Sequence, residues 1–529
     1  MMIHRLMLFL SFSALLLGCS TDDPEIPLSI PQADFSYVVV KDGNEVIVSF
    51  LNKSVNAYSF EWCINDKIVF RQRELTIKVK YHNRISVKLT ASNDIGMDIK
   101  QSEIELPFAD NSVKGVSYSW WCDPISQYKN GFNYFSGIDT LGRQMVFLYH
   151  PQLNKTISKV INSGHKRDEH NTASFIFVGN NILSACAGHD QENVVKIKMF
   201  DANLNGPFLL DKNVRFPGST SYSQLQRTGN RIFLSARCTS KWYITWSDDN
   251  GFTWVEPKMF IKKAIRPNNS FYIRTIAVSD KQIVVGAYMH PVDMKDDGQK
   301  LFYAKLNTET GEITKEDGVG LGNLYNPSYS ALDLFDMTLV HKPIVGETFR
   351  FLDIATMGEG DRTVFLIADA DSNNFSNGNY ALVDRNHSLG TTKVTTIAPH
   401  GKSLPHPTYW GGAYFVVDYF YNWSGRDIFL AREAQNHWMV EKYAFDGSSF
   451  GLIKQIENYR SEGEKTLSRP LPPIGSEHGG LSVIYQKGLY YGWPSYTNWT
   501  NMELVLVDAS LNPIPSNGNA GEIIELKGF

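Results

Sequence analysis

The chain has 529 residues, with 51 Lys and Arg against 55 Asp and Glu, a formal charge of −4. That balance excludes a protein that holds nucleic acid by phosphate neutralisation, which needs a basic excess or stripe. A composition 43% hydrophobic, 13% aromatic and only 20% charged excludes extended disorder. The 25 Tyr, 31 Phe, 11 Trp and 40 Gly favour many short strands joined by tight turns, in a chain long enough for two or more domains.

At the N-terminus, Arg5 precedes the apolar run Leu6–Leu17, then Gly18 and Cys19. The run is shorter than the ~20 residues of a standard membrane span and reads as a secretory signal. Leu16-Leu17-Gly18-Cys19 resembles a bacterial lipobox, which implies cleavage before Cys19 and lipidation of its thiol. Residues 1–18 are then a signal peptide and 19–29 a tether. Its acidic start, Ser20-Thr21-Asp22-Asp23-Pro24-Glu25, resembles the export tails of surface lipoproteins of the Bacteroides group. The implied location is the outer membrane, lipid-anchored, at the cell surface or on the periplasmic side. The other cysteines, Cys63, Cys122, Cys186 and Cys238, are scattered without a CxxC, so a structural zinc module is not indicated. Disulfides and buried thiols both remain open.

Residues 30–107 alternate apolar and polar side chains at period two, as in Glu45-Val46-Ile47-Val48-Ser49-Phe50 and Ile85-Ser86-Val87-Lys88-Leu89-Thr90-Ala91. Such strands predict one small β-sandwich. Phe60-Glu61-Trp62 and the run from Val87 to Gly96 resemble the PKD family of immunoglobulin-like modules. The family's Gly-Asp-Gly turn is replaced here by Asn65-Asp66-Lys67. The resemblance implies a spacer and no catalysis.

Residues 110–529 are again strand-like, with turn signals at Asn130-Gly131, Gly179-Asn180, Gly229-Asn230, Asp297-Gly298 and Asp446-Gly447. A propeller of four-stranded blades is the economical architecture, because radial repetition protects sheet edges. At roughly 60 residues per blade, longer than a WD repeat, about seven blades fit. Ser247-Asp248-Asp249-Asn250-Gly251-Phe252-Thr253-Trp254 matches the Asp-box pattern S-x-D-x-G-x-T-W, a turn-forming motif of many propellers and a fold signal more than a site signal.

Chemistry is suggested where polar groups interrupt apolar strands. Arg167-Asp168-Glu169-His170-Asn171 and Ala187-Gly188-His189-Asp190 flank a strand pair, and a hairpin there would set His170 and His189 at similar height on neighbouring strands. Tyr222, Arg237, Tyr272, Arg274 and His290 follow. An arginine on an apolar strand is costly to bury unpaired, so Arg237 asks for an anionic partner, either a ligand or an internal acid such as Asp248 or Asp249. Asp168 and Glu169 look like a glycosidase pair, but neighbours on a strand point oppositely.

These segments, with Tyr303 through Gly318, Tyr409-Trp410-Gly411-Gly412 and Arg469-Pro470, resemble in order the propellers of the BNR-4 repeat group. That group includes polysaccharide lyases of ulvan, a sulfated uronate-containing polymer. In those lyases two His, a Tyr and an Arg line the groove, which implies catalytic roles for His170, His189, Tyr222 and Arg237. Asn171, Tyr272, Arg274 and His290 are then expected to contact substrate. In such a β-elimination Arg237 would neutralise the uronate carboxylate, and either Tyr222 or one of the histidines would take the C5 proton. The route needs no redox cofactor and no obligatory metal, and a structural ion is compatible with it. The implied partners are an acidic polysaccharide and, through the lipid, a membrane; the protein is expected to be a monomer.

Two other functions fit the same pattern. A sialidase-like hydrolase would share the Asp-box, although Ile265-Arg266-Pro267 reverses the order of an Arg-Ile-Pro run and follows the Asp-box. A non-catalytic glycan-binding propeller would use aromatic platforms such as Trp410, Trp423 or Trp493.

Overall fold

The computed structural model describes residues 29–42, 45–66, 68–80, 84–106, 113–119, 121–151, 155–263, 271–289, 299–358, 360–404, 409–460, 465–489, 502–514 and 523–525. The signal segment, Cys19, His290, Trp493 and Ile265-Arg266-Pro267 lie outside them. The fold is all-β: the described residues form strands and three short 3-10 helices, and no helix among them is long and apolar enough to cross a membrane. The chain divides into two compact units, one of residues 1–80, 84–106 and 523–529, the other of 81–83 and 107–522.

The smaller unit holds two four-stranded sheets. One runs Phe35–Asp42, Glu45–Asn52, Leu75–Lys80, Ile523–Glu525, and the other Ile68–Phe70, Ser59–Ile64, Arg84–Ser92, Met97–Glu105. Their alternation sends Val46, Val48, Ile77, Val79, Ile85, Val87 and Leu89 inward, all fully buried. Trp62 sits among them, its ring 5.3 Å from both Phe35 and Phe50. Asn65 and Asp66 both take positive φ, so the turn closes without the expected glycines. Ile523–Glu525 pairs with Leu75–Lys80, which corrects the expected 110–529 limit of the second domain. Three residues carry too little periodicity to betray that return.

After residue 107 the described residues form seven sheets in chain order, antiparallel except where Lys258–Lys262 meets Leu332–Asp333 in the third. Their first strands are Ser126–Lys129, Ser174–Val178, Thr220–Thr228, Phe271–Ser279, Glu347–Met357, Ala413–Val417 and Lys465–Leu471. Each of the five pairs of neighbours from the second to the seventh packs together. Ile474 exchanges backbone hydrogen bonds with Ser126 and Tyr128, and Phe175 donates to the Pro124 carbonyl, so the first sheet touches both the seventh and the second. The seventh sheet is completed by Val113–Lys114, which pairs with Glu503–Val507. First strands are buried on both faces, as neighbouring sheets require, whereas the last strand of the sixth sheet, Phe450–Arg460, is mostly open to solvent.

The Asp-box ends the third strand of the third sheet. Asp249 accepts from the Thr253 amide (2.8 Å) and hydroxyl (2.7 Å), and Trp254 donates to the Gly251 carbonyl (2.9 Å). The described cysteines are free thiols, three of them buried.

Candidate active site

Segments in and flanking the first strands of the second and third sheets deliver a cluster of polar side chains. The segment before Ser174–Val178 is not a strand, as the hairpin reading expected, but a 3-10 helix, Glu169–Asn171. Asp168 caps it by accepting from the His170 amide (3.0 Å). His189 follows the adjacent strand Asn181–Ala187. The two imidazoles therefore meet ring to ring at 4.5 Å. Between them lies Asp168, whose Oδ1 is 2.6 Å from His170 Nδ1 and whose Oδ2 is 2.8 Å from His189 Nδ1. A carboxylate only accepts, so both Nδ1 atoms carry the proton, and a neutral ring in this tautomer has its lone pair on Nε2.

Tyr222 completes the cluster. Its hydroxyl is 3.4 Å from His189 Nε2, and its ring is 5.5 Å from His170. Tyr222 has φ +56°, at the point where Thr220–Thr228 loses register with Arg231–Cys238 between Ser221 and Gln224. A bulge that holds an aromatic residue in the left-handed region is strained, and re-aims a side chain that regular alternation would place elsewhere. Arg237, on the neighbouring strand, lies with its guanidinium 4.6 Å from the Tyr222 ring and 5.5 Å from the Tyr272 ring. It is 5% exposed, and among the described residues its Nε has no partner and its one carboxylate is the exposed Asp190 at 3.4 Å. Asp248 and Asp249 are engaged elsewhere, by Arg231 and by the Asp-box turn.

Burial pushes the Tyr222 hydroxyl well above its ordinary range, reinforced by Tyr272 and partly offset by Arg237. Burial also lowers His189, against the pull of Asp168 and with help from His170 and Arg237. Burial alone would raise Asp168, but the two imidazoles outweigh it and hold the carboxyl well below the usual carboxylate range. At neutral pH the cluster thus holds a neutral His189, a protonated Tyr222 and an ionised Asp168.

The other expected contacts divide. Tyr272 belongs to the cluster, 5.6 Å from Tyr222 and 4.7 Å from Trp121. Arg274 does not: its guanidinium is buried between Asp123 (3.2 Å) and Asp353 (3.0 Å) and donates to the Leu352 carbonyl (2.8 Å). Adjacent strand residues face opposite ways, so Tyr272 and Arg274, two apart, share a side and differ only in depth. Asn171 is fully buried, accepts from the His189 amide and donates to the Lys166 carbonyl (2.8 Å), so its side-chain oxygen and nitrogen are both bonded within the protein. Glu169 is bound by Arg469, so it does not pair with Asp168; Asp190 is a further carboxylate at the cluster, its Oδ2 3.7 Å from His189 Nε2. Trp410 and Trp423 are buried and bonded to the Phe375 and Asp427 carbonyls, so neither is a sugar platform.

Arg350 was overlooked. It is 1% exposed, lies 3.7 Å from the Tyr409 ring centre and shares the surroundings of Tyr288 and Tyr272. Its strand reads Thr348-Phe349-Arg350-Phe351-Leu352, the same cation-in-apolar-strand signal that marked Arg237. Asp168, His170 and His189 also offer ligand atoms within 4.8 Å of one another. This donor set suits a transition-metal ion, and a cation held by the two Nδ1 atoms would have to displace the protons that Asp168 accepts.

No known family model matches the chain, and no curated protein matches it in sequence. Among solved structures it is similar to the PL25 ulvan lyase, a polysaccharide lyase, with a TM-score of 0.58 at 15% identity over 77% of this chain and 96% of that one. A second structure of a PL25 ulvan lyase, bound to -[GlcA(1-4)Rha3S]-, aligns with a TM-score of 0.56 at 15% identity over the same shares. At that identity the likeness is one of fold.

Proposed function

We propose that the protein is a polysaccharide lyase that cleaves an acidic, uronate-containing polymer by β-elimination, on a seven-bladed propeller of the BNR-4 type. The observation that carries this reading is the Asp168–His189–Tyr222 chain beside a buried Arg237. Fold similarity to ulvan lyases supports it. The N-terminal unit is read as a PKD-like spacer and Cys19 as the site of a lipid anchor to the outer membrane.

Abstraction of the C5 proton requires that the adjacent carboxylate stop repelling the developing negative charge. Arg237 supplies a permanent cation for it, in a site where burial strengthens the attraction. Neutral His189 takes the C5 proton on Nε2, and Asp168 stabilises the imidazolium through Nδ1. The C4–O4 bond breaks as the C4=C5 double bond forms, and Tyr222 gives its hydroxyl proton to O4. The imidazolium then returns a proton to the Tyr222 oxygen across the 3.4 Å link, so the net transfer is from C5 to O4. The directions of the two shifts leave His189 unprotonated and Tyr222 protonated at rest, the states that a base and an acid must start from. Asp168 is engaged by the imidazoles and Glu169 by Arg469, which argues against these two as a pair of hydrolytic carboxyl groups.

Incubation of the protein with a panel of uronate polymers tests the reading. Growth of ultraviolet absorbance from an unsaturated uronate end, with shortening of the polymer, is expected. Saturated fragments would replace it with a hydrolase, and saturable binding without shortening with a non-catalytic glycan receptor.

A further inference from the structure

Glu169 stands between Asp168 and His170 in sequence but faces away from both. Its two carboxylate oxygens are gripped by one guanidinium, Arg469 Nη1 at 2.8 Å and Nη2 at 2.6 Å, with both side chains 2% exposed or less. Arg469 Nη1 also donates to the Tyr118 carbonyl. The Tyr118 hydroxyl in turn donates to the carbonyls of Arg469 (2.5 Å) and Ile484 (3.0 Å), and Gln486 donates to the Tyr118 carbonyl (2.7 Å). Ser117 bonds Gln486 (3.1 Å), and the Ser119 amide donates to Thr172 (3.1 Å) at the far end of the 3-10 helix. One network therefore joins the seventh sheet, the segment entering the first sheet and the helix that carries Asp168 and His170.

The backbone at Arg469 is bent to serve it. Arg469 has φ +54°, ahead of Pro470, where Lys465–Leu471 loses register between Ser468 and Leu471. A strained arginine that holds a buried ion pair is a poor source of stability, since the desolvation of both charges offsets their attraction. What a two-pronged grip supplies is direction. A carboxylate turned a fraction of an ångström on Glu169 rotates the helix, and with it the Asp168 oxygens that the two Nδ1 atoms require.

We infer that Arg469 is a positioning residue: through Glu169 it sets the orientation of helix Glu169–Asn171, so that Asp168 holds both imidazoles with their Nε2 atoms aimed at the substrate. This rests on the proposed roles of His189 and Tyr222. It ties the geometry of the acid–base pair to the seam at which the seventh sheet meets the first.

Two full-length variants test it: Arg469→Lys, which keeps the charge but not the fork, and the neutral pair Glu169→Gln with Arg469→Met. The pair removes both buried charges together, so its melting temperature is expected to stay near that of the parent. Both variants are expected to lose kcat by about 100-fold with KM changed by less than about threefold, the signature of misplaced groups and not of lost binding. In ligand-free protein the two downfield proton resonances of the Asp168-bonded Nδ1–H groups should shift or broaden in both. A double variant with parental melting temperature, parental kcat and both resonances unmoved would overturn the inference. If the parent cleaves no uronate polymer, the proposed function fails, and the resonances alone still decide whether Arg469 orients Asp168.

Discussion

Arg237, Tyr222, His170 and His189 were each visible in the sequence as polar groups in places that a β-rich chain normally keeps apolar. What joins them was not. Asp168 looked like half of an acid pair, and only the cap geometry of a 3-10 helix turns its two oxygens to two imidazoles. Tyr222→Phe is expected to lower kcat on polymer by about 10²–10⁴-fold, the usual span for a lost general acid. The same variant should recover most of its rate on a uronate with fluoride at C4, a leaving group that needs no proton; no recovery would mean that Tyr222 is not the acid. The acid limb of kcat/KM should lie below the ordinary imidazole pKa of about 6.5, because His189 must be neutral and burial lowers it. Asp168→Asn removes the carboxylate that opposes this lowering, so the limb should move to still lower pH while kcat falls. Stability has the same sign. Below about pH 6.5 the unfolded chain protonates His189 while the folded protein resists, so acid destabilises the fold through this group. Denaturant unfolding at pH 7 and pH 5 should show a smaller loss for His189→Gln than for the parent.

The elements carrying these residues depart from regular geometry in ways a period-two pattern does not encode. The strands themselves were legible, because alternation and turn residues mark them one by one. The bulge at Tyr222 and the matching loss of register at Arg469 were not, since an extra residue in a strand leaves no trace in composition. Gly188 shows how closely the site is built. A Cβ there would meet the His165 ring at 3.0–3.3 Å, and that ring is held by Asn162 (3.2 Å) and Glu192 (2.5 Å). Gly188→Ala should therefore destabilise the protein by about 1–3 kcal/mol, the range for overpacking, and reduce activity by displacing His189. Unchanged unfolding and unchanged rate would show that the His165 pocket is looser than its contacts indicate.

For the molecule as a whole, the all-β class followed from composition and periodicity, but the pairing that completes the seventh sheet did not. Val113–Lys114 is two residues long and pairs with Glu503–Val507 almost 400 positions away, and no local pattern announces such a partner. Leu504 is buried in that final sheet, opposite Val113. Leu504→Ala should cost about 2–5 kcal/mol, as large-to-small changes in cores do. If the seven sheets unfold as one cooperative body, the whole of residues 107–522 should melt earlier in a single calorimetric step. A separate low-temperature step confined to the seventh sheet would show instead that this pairing acts locally.

The pairing of Ile523–Glu525 with Leu75–Lys80 has a mechanical consequence. Because the chain leaves the small sandwich and comes back to it, tension applied between residue 35 and residue 525 is borne first by short antiparallel ladders of that sandwich. The long excursion between them carries no load until the last strand peels away. In a stretching experiment the first rupture should be that short strand, with the His189–Tyr222 cluster still assembled.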